Sequence, residues 1–108
     1  MPHIVFEGNF ENIKFEKFKY ESGDLSFHVV EIYKSKMREK VLFEVELNGD
    51  RRFIVEVKKK KDGGIIKVGS FFTIERDEGV KRVLWLIYKR FPFGKLIRTN
   101  IEEELRDG

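Results

Sequence analysis

The sequence predicts an α+β fold, an antiparallel β-meander of five to six strands with one amphipathic helix packed on one face. Three observations lead there. Turn-forming triplets recur at 22–24, 48–50, 62–64, 77–79 and 92–94, cutting the chain into hairpin-length pieces. Between these turns apolar and polar residues alternate, the period of a half-buried strand. After the fourth turn the period changes to that of a helix.

Ile4 to Glu7 and Leu25 to Lys34 read as strands. Ile13 to Tyr20 is also strand-like, but Ile13 and Phe15 fall out of phase with Phe18 and Tyr20. A bulge, or a short helix from Asn12 to Phe18, accounts for the shift. The firmest alternation follows in Val41, Phe43, Val45 and Leu47, then Phe53, Val55 and Val57, then Ile66, Val68, Phe72 and Ile74. The turns between these runs fix a register, because a one-residue slip sends every side chain to the opposite face. A three-residue loop, Asn48 to Asp50, pairs Leu47 with Arg51 and sets Val45 opposite Phe53 and Phe43 opposite Val55. A two-residue Asp62-Gly63 loop, the chemistry of a type I′ hairpin, pairs Lys61 with Gly64, Val57 with Val68 and Phe53 with Phe72. Both turns keep the apolar residues on one side.

Residues 80–91 suit either a doubly buried strand through Val83 to Tyr88 or a helix. Helical spacing is favoured. It gathers Val80, Val83, Leu84, Ile87, Tyr88 and Phe91 on one face and leaves Lys81, Arg82 and Lys89 on the other. Asp77 caps the start, Pro92 ends it, and Trp85 flanks the core face. Asn100, Ile101 and three glutamates read as a capped, acidic helical turn. Residues 1–98 thus form one α+β domain and 99–108 an acidic C-terminal tail.

The length of 108 residues suits a single domain with a real core. The absence of cysteine excludes disulfides and thiolate sites, and with no secretory leader pattern a cytoplasmic protein is expected. The longest apolar run, Val83 to Tyr88, is too short to span a bilayer. A charged fraction of 38% with two prolines resembles the surfaces of hyperthermophile proteins. The net charge of +3 conceals an asymmetry: residues 51–98 carry 14 basic and 5 acidic groups, a net +9, while 1–50 and 99–108 are each −3. A basic centre of this kind attracts polyanions, although a solvated thermophile surface looks the same.

No motif for chemistry emerges. His3 is read as lying in a mobile terminus, and His28 as a satisfied strand residue. Glu44, Glu46 and Glu56 share the outer sheet face and read as ion-pair partners, for example Glu46 opposite Arg52. Gly63, Gly64 and Gly69 lack the strand–loop–helix order and following lysine of a phosphate loop. No catalytic residue, metal ligand or cofactor is expected, so the chain is read as a binding protein.

On the solvent face the expected register sets Lys58 opposite Lys67, with Lys60 beside them, and Ile54 opposite Phe71. Facing like charges repel, and an exposed apolar pair needs a reason. An anionic ligand with flat apolar parts supplies both, its phosphates neutralising the lysines and its bases stacking on Phe71. Arg51, Arg52 and Lys61 extend the track. The candidate nucleic-acid-binding residues are therefore Arg52, Lys58, Lys60, Lys67 and Phe71. One alternative is a hairpin that guards a sheet edge, with Ile54, Phe71, Trp85, Phe93 and Leu96 forming the exposed interface of a homo-oligomeric assembly module. Another is a small-ligand cavity between sheet and helix.

The run Arg51-Arg52-Phe53-Ile54-Val55-Glu56-Val57-Lys58, the Lys-Asp-Gly-Gly turn and the basic strand after it sit within three or four strands and one helix, residues 40–91. This half of the chain resembles the repeat unit of the whirly and Pur-type single-stranded nucleic-acid-binding proteins. The resemblance implies binding of single-stranded DNA or RNA on an exposed sheet by stacking and backbone contacts, with little sequence preference. Such units work in pairs and one is present here, so a homodimer is expected.

Overall fold

The computed structural model describes residues 2–8, 13–49, 51–69 and 78–106. Seven strands are formed: β1 (His3–Glu7), β2 (Lys19–Ser22), β3 (Leu25–Lys34), β4 (Glu39–Leu47), β5 (Arg51–Lys60), β6 (Gly63–Val68) and β7 (Lys95–Thr99). One helix, α1 (Glu78–Arg90), and a single 3-10 turn, Glu103–Leu105, complete the described elements. All the strands join one sheet in the order β2-β3-β4-β5-β6-β1-β7, and every neighbouring pair is antiparallel.

The count is seven strands rather than five to six. The addition is β7, whose alternation is obscured because its pairing with β1 shifts register between Val5 and Phe6. Upstream, residues 13–18 form neither a bulged strand nor a helix. They turn at Glu16 and Lys17, where Lys17 takes a φ of 58° and Phe18 N–H donates to the Phe15 carbonyl at 3.1 Å. The break in phase is thus the chain dropping Phe15 into the core from a loop. His3 is likewise no loose terminus. It lies in β1, its N–H donating to Asn100 Oδ1 at 2.9 Å and its carbonyl accepting from Thr99 Oγ1 at 2.7 Å.

The β4–β5 hairpin has the expected register, with Val45 opposite Phe53, Phe43 opposite Val55 and Leu47 opposite Arg51. Its loop works because Asn48 and Gly49 take positive φ values of 58° and 80°, the region these residue types tolerate best. The β5–β6 hairpin departs from expectation by two residues. Lys60 pairs with Gly63, Val57 with Ile66 and Val55 with Val68, so Lys61 and Asp62 form the loop. Faces are preserved and partners are not. Gly63 and Gly64 are needed inside the strand, where β1 approaches closely. A Cβ on Gly64 would stand 2.8 Å from the Phe6 ring and collide with the Lys58 carbonyl.

The core lies on the face carrying Val41, Phe43 and Val45 of β4, Phe53, Val55 and Val57 of β5, Ile66 and Val68 of β6, and Ile4 and Phe6 of β1. Aromatic rings knit it together: Phe91 lies 4.9 Å from Phe15, 4.7 Å from Phe18 and 5.8 Å from Phe43 between centroids. Helix α1 contacts β1 and β6, and its Val80, Val83, Leu84, Trp85 and Ile87 belong to the same cluster. Trp85 is fully buried, not flanking, with the Arg106 guanidinium 5.3 Å over its ring. Its indole N–H finds no acceptor among the described residues. Phe93 is buried too, and Ile54 and Leu96 are half-buried, which removes most of the exposed apolar set expected from the sequence. Beyond β7, Ile101 is buried and Lys81 bridges to Glu102 at 3.0 Å. No helix among the described residues is long and apolar enough to cross a membrane.

Candidate nucleic-acid interface

Strand pairing orders the face opposite the core into rows that run across the sheet. One row reads Tyr33, Lys40, Lys58, Ile65, Val5 and Arg98, from β3 through β4, β5, β6 and β1 to β7. The next reads Glu31, Leu42, Glu56, Lys67 and His3. Neighbours within a row stand about 4.8 Å apart at the backbone. The first row contains three cations and no anion.

At the centre is Glu56, 7% exposed, with its two oxygens 3.6 Å from the Lys40 ammonium and 3.7 Å from that of Lys58. Lys67 is directly across from Glu56 and diagonal to Lys58. The expected Lys58–Lys67 opposition is corrected by the two-residue shift of the hairpin, which puts Glu56 rather than Lys58 across from Lys67. Lys67 still holds its proton less firmly than an ordinary lysine. Burial is the main cause, followed by the Lys58 charge and a hydrogen bond with Lys58, and Glu56 offsets these in part. An arriving phosphate would restore what burial and Lys58 remove.

Tyr33 is the aromatic member of the row, 49% exposed, with the Lys40 ammonium 5.8 Å from its ring centroid. A hydrogen bond to Glu31, with desolvation and the Glu31 charge, raises its pKa. Sequence alternation alone conceals Tyr33, because the β3–β4 pairing shifts between Val29 and Glu31 and moves the residues beyond it to the other face. Lys40 and Arg98 were missed for a related reason: each is placed by a partner strand rather than by its own neighbours. Lys40 had one available signal, since it alternates with Val41.

Of the residues expected from sequence, Lys58 and Lys67 are brought together around Glu56. Lys60 is one step further along β5 on the same face, opposite Gly63. Arg52 is not part of this group. It lies six residues from Lys58, about 20 Å along an extended strand, and pairs with Glu46 at 3.5 Å. Phe71 lies outside the described residues, as do Phe72, Ile74 and Asp77. His28 is half-buried between Lys19 and Glu44. Among the described residues no group of three or more His, Asp or Glu is placed to hold a metal ion. Family models, curated proteins and solved structures give no match to this chain, so any functional reading rests on its own residues.

Proposed function

We propose that the protein binds single-stranded DNA or RNA with little sequence preference across the outer face of the sheet. The observation that carries this reading is the row Tyr33, Lys40, Lys58, Ile65, Val5 and Arg98. It runs from an exposed ring through two cations and two apolar side chains to a further cation. A single strand carries the complementary chemistry, with phosphates to neutralise Lys40, Lys58, Lys67 and Arg98 and a base to stack on Tyr33. The row offers charge and flat apolar surface to backbone and rings, so little sequence preference is expected. Duplex DNA buries its bases and leaves Tyr33 no stacking partner. The expected homodimer fits β7, an edge strand with a half-exposed Ile97.

Fluorescence anisotropy of a labelled single-stranded oligonucleotide, with a duplex control, tests the reading at low and physiological salt. Salt-dependent binding that favours the single strand supports it. Equal binding of both forms, lost at physiological salt, reduces the row to ordinary surface charge. Light scattering of the eluting protein tests the dimer separately.

A further inference from the structure

A second cationic feature lies at one end of the sheet. Glu39 pairs with Lys34 on one side and Lys59 on the other, so the β3–β4 and β5–β6 turns project side by side. Between them is a cleft of about 460 Å³ lined by Ile13 and by residues 34–39 and 59–61. Among the described residues, six of these ten lining residues are lysine or arginine, and Glu39 is the one carboxylate.

The cleft is organised. Lys59 points to the core side of β5 and is 7% exposed, its ammonium donating to the carbonyls of Gly8 and Lys61. One positive charge is therefore fixed at the floor. The turn bearing Lys36 and Arg38 is tied across its base, where the Ser35 N–H and hydroxyl donate to the Arg38 carbonyl at 2.9 and 3.3 Å. Met37, 73% exposed, and Ile13 add an apolar wall. Like charges gathered in a concavity repel one another and focus a strong positive potential. A dense, compact anion relieves that repulsion, and guanidinium and ammonium donors suit phosphate oxygens. The volume falls within the range of small-ligand sites.

We propose that this cleft binds a compact oligophosphate, the group carried by the end of a nucleic-acid strand or by a free nucleotide. It adjoins the sheet-face row through Lys60 but does not depend on that reading.

Calorimetry with inorganic tripolyphosphate and the whole protein tests it, with sulfate at matched ionic strength for comparison. Tripolyphosphate is expected to bind at a single site at least about tenfold more tightly than sulfate. Lys36→Ala combined with Arg38→Ala should weaken it at least about tenfold. Lys67→Ala, on the sheet face, should change it by less than about twofold. Circular dichroism checks that both variants fold. Affinity no better than for sulfate, or equal losses in the two variants, overturns the proposal.

Oligonucleotides ending in a 5′-triphosphate or a 5′-hydroxyl separate the sources. A gain for the triphosphate end that disappears in the Lys36/Arg38 variant assigns the strand terminus. Equal affinity for both ends, with tripolyphosphate still bound, assigns a free nucleotide. Failure of the 5′-hydroxyl strand to bind at all removes the sheet-face reading and leaves the cleft standing.

Discussion

The two faces of this sheet share every backbone hydrogen bond and differ in almost everything else. On the core face Phe43 is fully buried and meets Phe15, Phe27 and Phe91 at 6.1, 6.0 and 5.8 Å. On the opposite face, Lys40 of β4 and Lys58 of β5 converge on Glu56. Burial of rings fixes the register, and that fixed register holds like charges at spacings they would not choose. The buried rings therefore concentrate on one face, and the charges on the other.

Substitutions that separate the faces sharpen this contrast. The largest effect is expected from Phe43→Ala, which should cost about 3–5 kcal/mol of unfolding free energy, measured by urea denaturation. Truncating half-buried Ile54 to Ala should cost less than about half as much, because less apolar surface leaves water there. Similar losses at both positions would mean that the outer face is also core. Tyr33→Ala should remove about 1–3 kcal/mol of single-strand affinity in an anisotropy titration and leave the melting temperature unchanged. Lys58→Ala with Lys67→Ala should reduce the salt dependence of single-strand binding by about 1.4 in log–log slope. An unaltered slope would place the phosphates elsewhere.

The smallest effect is on pH dependence. Because the folded state lowers the Lys67 pKa, Lys67 sheds its proton in the folded protein before it does so in the unfolded chain. As pH rises from the folded value towards the ordinary lysine value, the unfolded state binds more protons and stability increases. Below that window the cost of the held charge is fully present. Thermal unfolding across alkaline pH should show this rise in the parent and lose it in Lys67→Gln. The variant should be at least as stable as the parent at neutral pH while binding the single strand more weakly.

What the sequence reveals divides along the same line. The β4–β5 register is legible because Asn48 and Gly49 supply a loop conformation that local chemistry dictates. Helix α1 is legible from its own spacing. The β5–β6 register is not, because Gly63, which reads as the second loop residue, instead lies in the strand beside Gly64, where the two glycines admit Phe6 from a strand almost sixty positions away. The site suffers from the same dependence on distant partners. Lys58 and Lys67 are found from the hairpin's parity, which survives a two-residue shift. Tyr33 emerges only once the irregularity in β3 is known, and Arg98 only once β7 is seen to pair with β1.

The position of β1 also sets the order in which the molecule can be assembled. This strand precedes the other described strands in sequence and is seated between β6 and β7, so on a ribosome it must wait until β7 has emerged before both its edges are satisfied. The meander from β2 to β6 consists of neighbours in sequence and can form earlier from local contacts. Closing β1 against β7 is the long-range step, with the large loop-closure cost that slows folding. The last part of the sheet to form is therefore the one that adds Val5 and Arg98 to the row of Lys58 and Ile65, and that row is a late product of folding.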